Sequence, residues 1–398
     1  MLALATTVRP SATATWKGAR FTPTPQSGAR ATTLPRAPGG VKAGWPTNPD
    51  QNEIEPPTPV RPRLSLAIVP TPELHLLAGT RAGLEFRPAT VADARLYAEL
   101  SLAHRPDEPE DPEVTRHGWA NPTPGYTRER YMIELDGRAA GHAWHFEGPL
   151  DADPDRNGEV SAFLAPWAMS AERLRGAFEF IEERSAAAGV RTFTADVWED
   201  DAGEIEVLGS LGYRRDRLSK AWELDLIEHR DRLLLLAGRA EAMMREIGIT
   251  CAAVAEDPDP AIWRNCHEVD AAAGEDMPRS GPYHRPTYEQ YMSWMATPDI
   301  SPFWYFTAKD GERVVGLTNL RFPPVQGNVW TGLTGVLREY RGRGIARAVK
   351  LAVLKQAIEQ NVARVRTDND ETNEAMLHIN EELGFQRIPG ILSYRKGS

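Results

Sequence analysis

The sequence predicts a mixed α+β protein built from two copies of one folding unit. From about residue 80 onward, short strand patterns alternate with amphipathic helix patterns. Three landmarks recur at nearly one spacing: Asp136 and Asp310 are 174 residues apart, Gly141 and Gly316 are 175 apart, and Gly212 and Gly384 are 172 apart. A repeat of this length indicates a duplicated domain.

The composition is that of a globular protein with a small-molecule partner. The chain has 398 residues, long enough for two domains, and its net charge of -10 argues against a nucleic-acid binder. Its two cysteines, Cys251 and Cys266, provide neither a disulfide framework nor a cysteine zinc site, and we expect no metal. No apolar run reaches eighteen residues, so we expect a cytoplasmic protein without membrane partners.

The chain divides into three parts. Residues 1–78 are rich in Pro, Thr and Arg, show no sustained hydrophobic period, and are predicted to be a disordered tail. The tail carries eight basic and four acidic residues, which leaves a charge of -14 on the remainder. Residues 80–228 and 232–398 are predicted to be the two domains, joined by a helix from about Asp231 to Ile247.

In the first half, each element follows from a local pattern. A strand in "LEFRP" is followed by a helix that ends near "YAELS", and "RYMIELDGRAAGHAWHF" predicts a hairpin with Asp136-Gly137 at its turn. The next patterns are a strand in "GEVSAFLAP", a helix that ends at Gly189, a strand in "RTFTADVW", and a short helix before "LGYRR".

The second half repeats this order. A strand in "GITCAAVAE" and a helix in "DPAIWRNCHEVDAAA" precede a hairpin with Asp310-Gly311 at its turn. They are followed by a strand in "NVWTGLTGV", a helix from "GIARAVK", a strand in "ARVRTDN" and a helix that ends before Gly384-Phe385.

The stretch "LREYRGRGIARAVK" lies between a strand and a helix and combines five basic residues with two glycines. A helix N-terminus presents unpaired backbone N–H groups, and glycines allow a diphosphate to approach them. The third glycine of a dinucleotide fingerprint and the Lys-Ser/Thr pair of a Walker A loop are both missing. A phosphate cradle, a basic nucleic-acid patch and a solvated helix end remain as interpretations of this stretch alone.

Together with its flanks, the stretch resembles a known signature. "TGVLREYRGRGIARAVK" is similar to the acyl-CoA-binding pattern Q/R-x-x-G-x-G/A of the GNAT superfamily of N-acyltransferases, and "TDNDETNEAMLHINEELGF" resembles the closing part of that fold. The resemblance covers roughly residues 240 to 395, and the first half resembles the fold only in outline. The two-copy arrangement is also similar to that of mycothiol synthases.

The resemblance implies two tandem GNAT-like domains, acetyl-CoA as co-substrate, and a primary amine as acceptor. We expect a small-molecule amine; an antibiotic, an amino-sugar conjugate and a protein N-terminus remain open. It also implies that the fourth and fifth strands diverge to admit the thioester. Backbone groups at Val336 and Arg338 would hold the pantetheine arm, with the Val336 N–H polarising the thioester carbonyl. The diphosphate and the arm would be held by Arg341, Gly342, Arg343, Gly344, Ile345, Ala346 and Asn373.

The catalytic acid and base are not fixed by the sequence. Asn380 stands where many GNAT members carry a tyrosine that protonates the departing thiolate, and an amide cannot supply that proton. The strand "NVWTGLTGV" contains no acid, so the weak candidates for the base are Glu275 and Asp276, in the loop after the first helix of the second copy.

The first copy lacks the cofactor motif. At an offset of 172 residues it has "MSAERL" in place of "RGRGIA", so that Met169 replaces Arg341 and Glu172 replaces Gly344. A carboxylate there would repel a diphosphate. We therefore expect only the second copy to bind acetyl-CoA, and the first to support the fold or form a wall of the acceptor site. A non-catalytic acyl-CoA sensor or scaffold remains the alternative to an enzyme.

Overall fold

The computed structural model describes residues 79–397, and the predicted tail lies outside them. The elements of the first half are β1 (Gly79–Arg81), β2 (Leu84–Pro88), α1 (Ala94–His104), α2 (Pro112–Ala120), β3 (Thr127–Leu135), β4 (Arg138–Glu147), β5 (Asn157–Leu164), α3 (Ala171–Ala187), β6 (Thr192–Trp198), α4 (Ala202–Ser210) and β7 (Arg214–Asp225). The predicted strands and helices are all present, and α2 is an element that the patterns missed.

The second half begins with α5 (Arg230–Glu246), close to the predicted joining helix. It continues with β8 (Ile249–Ala253), α6 (Ile262–Glu275), α7 (Tyr288–Met295), β9 (Tyr305–Asp310), β10 (Arg313–Arg321), β11 (Trp330–Thr331), β12 (Gly335–Val336), α8 (Ile345–Glu359), β13 (Arg364–Asp370), α9 (Glu374–Leu383) and β14 (Gln386–Gly397). The order repeats that of the first half, and the fold is the mixed α+β class that the sequence predicts.

The landmark residues adopt matching backbone conformations. Asp136 and Gly137 have φ angles of 53° and 73°, which are the positive values of a type I′ hairpin turn. Gly212 and Gly384, which follow α4 and α9, have φ angles of 92° and 91°. This left-handed conformation ends both helices in the same way, as expected for two copies of one unit.

The two copies share one sheet. Its strand order is β1-β2-β3-β4-β5-β6-β14-β7-β13-β11-β10-β9-β8, with β12 paired to β10. The last strand of the second copy, β14, lies between β6 and β7 of the first copy, and β7 in turn pairs with β13. Each copy therefore completes its sheet with the final strand of the other. The segment between the predicted domains, residues 229–231, separates the copies along the chain but not in the sheet.

The hydrophobic cores reflect this exchange of strands. Helix α3 packs on the first half of the sheet in a core that also contains Leu392 of β14. Helices α5, α8 and α9 pack on the second half in a core that contains Trp222 and Leu224 of β7. Because each core includes a strand of the other copy, unfolding of one half exposes apolar surface of both.

The fourth strand of each copy diverges from the fifth. In the second copy this strand is broken into β11 and β12, and Gly332 lies at the break so close to Asn319 that a Cβ on it would meet the Asn319 side chain at 2.3 Å. Strand β11 pairs with β13 only at Trp330 and Arg366, and β12 pairs with β10 alone. In the first copy, β5 pairs with β6 only over Asn157–Glu159. We call the wedge between β12 and β13 the strand gap; both copies show the divergence that the resemblance implies.

Candidate cofactor and acceptor site

The glycine-rich loop presents an uncapped helix N-terminus. Gly342 and Gly344 have φ angles of 75° and 79°, which side chains disfavour, and Gly344 is the N-cap of α8 with no side-chain hydrogen bond to the first turn. The equivalent helix of the first copy, α3, is capped by Ser170, whose hydroxyl accepts from the Arg173 N–H at 3.2 Å. Only the second copy therefore leaves these N–H groups to an anion.

An acidic side chain holds the arginines of this loop. Asp276, which ends α6, accepts hydrogen bonds from Arg338 and forms an ion pair with Arg341 at 2.6 Å. Hydrogen bonds from Arg338, followed by those from Arg341, lower the pKa of Asp276 to about 2. A carboxylate with so low a pKa is a poor proton acceptor at neutral pH. Its geometry suits it to positioning the loop.

Val336 directs its backbone N–H into the strand gap. The neighbouring Leu337 N–H donates to the Val315 carbonyl at 2.9 Å, and Val336 lies opposite Gly316. Because successive residues of an antiparallel strand alternate in hydrogen-bonding direction, the Val336 N–H points away from β10 and toward β13. The carbonyl of Val336 accepts from Arg341 Nε at 3.0 Å. The N–H is thus placed to polarise a carbonyl in the gap.

The other predicted residues are distributed around the gap. Asn373 is the N-cap of α9, accepts from the Met376 N–H at 3.3 Å and lines the large cleft described below. Arg343 and Ile345 adjoin the glycines, with Arg343 stacked over Tyr340. Glu275 is exposed, 3.4 Å from Arg285, and does not line the described cleft.

A buried chain of three polar side chains lies behind the gap. Lys350 of α8 donates from Nζ to Asn380 Oδ1 at 2.8 Å, and Asn380 Nδ2 donates to Asn369 Oδ1 at 2.7 Å. Lys350 and Asn380 are both 0% exposed, whereas Asn369 lines the cleft. Burial lowers the pKa of Lys350 to about 7, opposed by the Asp368 carboxylate. The Asn369 Nδ2 has no protein acceptor among the described residues, and Asn369 lines the cleft.

The first copy replaces this chain with apolar residues. At the same offset of 172 residues, Lys350, Asn380 and Asn369 correspond to Phe178, Leu208 and Val197. These three first-copy residues are buried in its hydrophobic core. Because the same backbone folds with an apolar core at these positions, the fold does not require the polar chain.

A cleft of about 410 Å³ lies between the copies and reaches the strand gap. Its second-copy wall includes Gly332, Leu333, Thr334, Asp368, Asn369 and Asn373; its first-copy wall includes Tyr97, Trp119, Tyr126, Arg128 and Arg130. The first copy thus contributes a full wall of the cleft. Glu108 of the first copy connects this wall to the second copy, because its carboxylate accepts hydrogen bonds from Trp330 Nε1 at 2.5 Å and from Arg366.

Asp368 is the acid of this cleft that lies on β13 at the strand gap. Its carboxylate accepts from Ser219 Oγ at 2.6 Å, and burial raises its pKa, opposed by the Ser219 hydrogen bond and Lys350. Its first-copy counterpart, Asp196, accepts from Ser393 Oγ at 2.6 Å. Asp368 is not recognisable as a site residue in the sequence, because its place at the gap depends on where β13 leaves β11.

In the first copy, the end of α1 contacts both diverging strands. The His104 ring nitrogen Nδ1 lies 3.0 Å from the Leu164 carbonyl at the end of β5, while Arg105 stacks over Trp198 of β6 and binds Asp200. His104, Asp201 and Glu204 place ligand-type atoms within 4.8 Å of one another, a grouping that could hold a cation. These side chains occupy the mouth of the first-copy wedge.

Several cysteine, histidine and tryptophan side chains of the second copy have structural contacts. Burial raises the pKa of the Cys251 thiol to about 11 and that of the Cys266 thiol further, which makes both poor nucleophiles. His267 is buried against the Pro286 carbonyl. Trp294 and Trp330 line the cleft, whereas Trp304 stacks on Phe322.

The fold and the loop define an acyltransferase-type site in the second copy, and comparison with known proteins agrees. Residues 267–385 match the sequence model of the Acetyltransferase (GNAT) family. The second half of the chain therefore contains a region, residues 267–385, that is similar to the GNAT family of acetyltransferases. N-alpha-acetyltransferase 30 of Schizosaccharomyces pombe is 26% identical over 119 residues, which cover 29% of this chain and 75% of that protein.

Solved structures show the same two-copy fold. A tandem GNAT protein from the clavulanic acid biosynthesis pathway superposes with a TM-score of 0.61 at 18% identity, covering 79% of this chain and 98% of that one. A GCN5-related N-acetyltransferase from Sphaerobacter thermophilus gives 0.58 at 19% identity, covering 79% and 96%. Within residues 79–397, no helix has the length and apolar character needed to cross a membrane.

Proposed function

We propose that the second copy binds acetyl-CoA and transfers its acetyl group to a primary amine by direct attack within a ternary complex. The observation that carries the proposal is the strand gap with the uncapped N-terminus of α8 beside it. The two glycines and their flanking arginines suit a diphosphate, and the gap suits a pantetheine arm. The cleft between the copies offers the acceptor a route to the gap.

In this proposal Asp368 accepts the proton of the attacking amine. A carboxylate with a raised pKa is better matched to this task at neutral pH than an ordinary one, and the Ser219 hydroxyl fixes its orientation. The Val336 N–H stabilises the negative charge that develops on the carbonyl oxygen. Glu275 stays a weaker candidate for the base. Asp276 is better suited to holding Arg338 and Arg341.

Asn369 replaces the function of the tyrosine that is absent at position 380: its amide stabilises the departing sulfur by a hydrogen bond and does not give up a proton. Lys350 and Asn380 orient it, because Lys350 Nζ donates to Asn380 Oδ1, Asn380 Nδ2 then donates to Asn369 Oδ1, and the Asn369 Nδ2 is left as a donor toward the cleft. A thiol with a pKa of about 8.5 is a moderately good leaving group. Two amide hydrogen bonds in series are therefore adequate to stabilise the departing thiolate. Lys350 acts as a positioning residue.

The experiment is a pair of matched carboxylate substitutions in the full-length protein. Asp368→Asn is expected to lower amine-dependent release of CoA thiol by about 100-fold or more, the usual range for loss of a general base. Asp196→Asn removes the equivalent carboxylate of the first copy, which has the same serine contact, and is expected to leave the rate within about 2-fold of wild type. Acetyl-CoA affinity should change in neither protein.

Three results would contradict the proposal or part of it. Equal losses in both variants would mean that the two carboxylates act through stability. An unchanged rate in Asp368→Asn would remove Asp368 as the base. Binding of acetyl-CoA with no turnover on any primary amine would favour the sensor or scaffold alternative.

A further inference from the structure

We propose that the acceptor carries an anionic group, a carboxylate or a phosphate, which binds Arg130 in the first-copy wall of the cleft. The inference rests on the proposed function for the position of the amine and deepens it by naming the class of acceptor. The acceptor would then bridge the two copies, with its amine at the strand gap and its anionic group on β3.

Arg130 is a cation without a counter-ion. It lies on β3, lines the cleft, is partly buried and stacks over Trp119 with its guanidinium carbon 5.4 Å from the ring centre. No carboxylate among residues 79–397 pairs with it, and its guanidinium donates only a long bond of 3.5 Å to the Arg128 carbonyl. Burial, and next the charge of Arg128, lower the pKa of Arg130 to about 9.

The other charged side chains of the cleft already have partners. Arg321 donates to Asp299 at 2.7 Å, and Glu108 binds Arg366. Asp111 accepts from the backbone N–H groups of Val325 and Gln326 at 2.6 and 3.0 Å. Arg130 therefore differs from its neighbours in having several donors unused. Arg128, two residues along the same strand, adds positive potential at the same point.

An unpaired arginine in a partly buried wall is costly to fold unless something compensates for it. A planar guanidinium with unused donors matches a carboxylate or a phosphate, which it binds through two parallel hydrogen bonds. Trp119, over which Arg130 stacks, packs against Tyr97 with ring centres 5.4 Å apart, and these apolar surfaces lower the local polarity, which strengthens such a contact. The chemistry of the site therefore points to an acceptor with an amine at one end and an anionic group at the other.

The test compares acceptors in matched pairs with the full-length protein and saturating acetyl-CoA. One pair is an amino acid and its carboxamide, and the other is 2-aminoethyl phosphate and ethanolamine. We expect wild type to favour the anionic member of at least one pair by 10-fold or more in kcat/KM, about 1.4 kcal/mol. The pair that shows the preference identifies carboxylate or phosphate as the natural anion.

Arg130→Met keeps the stem that packs on Trp119 and removes the charge. It is expected to abolish the preference through KM for the anionic member and to leave its neutral counterpart unchanged. Arg138→Met is the control, because Arg138 also stacks on a tryptophan, Trp167, at 4.1 Å but does not line the cleft. Equal kcat/KM for both members in wild type, or equal losses for both in Arg130→Met, would overturn the proposal.

Equilibrium binding of the same four compounds separates this proposal from the proposed function. Anion-dependent binding that is lost in Arg130→Met, with no acetyl transfer to any compound, would sink the proposed function and sustain the anion site. Acetyl transfer with no dependence on the anionic group would support the proposed function and contradict the anion site. Absence of binding and of transfer for all four compounds would contradict both.

Discussion

Replacing Lys350 by methionine should remove a pH dependence of stability that wild type shows above neutral pH. Lys350 is 0% exposed, and burial lowers its pKa from 10.5 to about 7 in the folded protein. Between these two values the unfolded chain binds a proton that the folded chain lacks, so the free energy of unfolding rises with pH. Methionine has similar length and no proton, so the variant should lack this rise.

The magnitude follows from the size of the shift. Each pH unit inside the window changes the free energy of unfolding by about 1.4 kcal/mol, so an interval of about two units should separate wild type from Lys350→Met by roughly 3 kcal/mol. Asp368 works in the opposite direction, since its raised pKa gives stability that is lost as pH rises through that pKa. It is present in both proteins, and loss of Lys350 removes an effect that lowers its pKa, so Asp368 adds to the separation between the two proteins as pH rises.

The assay is urea unfolding of both full-length proteins at several pH values from about 7 to about 9. Lys355→Met is the matched control, because Lys355 lies on the same helix but its side chain is 43% exposed and only 3.8 Å from Glu241. That variant should follow the wild-type pH dependence. Parallel curves for wild type and Lys350→Met would refute the account of Lys350 as a buried lysine with a lowered pKa.

Two further outcomes follow from the site and the sheet. The double variant Lys350→Met/Asn380→Leu, and separately the single variant Asn369→Val, should fold and bind acetyl-CoA normally. Each should lower kcat by about 10- to 100-fold, as expected for loss of a donor to developing charge. Steady-state kinetics with calorimetric binding checks this, and a kcat within 2-fold of wild type would contradict the role proposed for the polar chain. A chain that stops after Phe385 lacks β14 and leaves β6 and β7 without the strand that pairs with both. Both halves should therefore lose their cooperative unfolding transition, measured by circular dichroism. A surviving transition of the first half would show that the exchange of strands is dispensable.

Much of the fold follows from local sequence signals. The Asp-Gly turns, the helix-ending glycines and the period of the hydrophobic residues each depend on neighbours in the chain, so both hairpins and most helices are predictable, whereas α2 and α7 were not predicted. The exchange of β7 and β14 is not, because a strand pattern specifies which residues face the core and not which strand lies beside it. The close packing of Gly332 on Asn319, at the break between β11 and β12, likewise depends on a neighbouring strand.

The site residues likewise divide into those that local sequence signals predict and those that depend on distant parts of the chain. The loop from Arg341 to Ala346 is visible in the sequence, since its glycines and arginines act through the local backbone. Lys350 gave one usable signal, a lysine in the apolar run of a helix where the first copy has Phe178. Asp368 and Arg130 gave none, because the role of each depends on where other strands and carboxylates lie in space.

The central claim is that acetyl-CoA binds at the loop of the second copy and not at its first-copy counterpart. Calorimetric titration of acetyl-CoA into full-length protein tests it with a matched pair, Arg343→Glu and Ala171→Glu, which place a carboxylate at equivalent exposed positions of the two copies. We expect one site per chain, an affinity lowered by about 10-fold or more in Arg343→Glu through repulsion of the diphosphate, and a wild-type affinity in Ala171→Glu. Two sites per chain, or a loss confined to Ala171→Glu, would contradict the account.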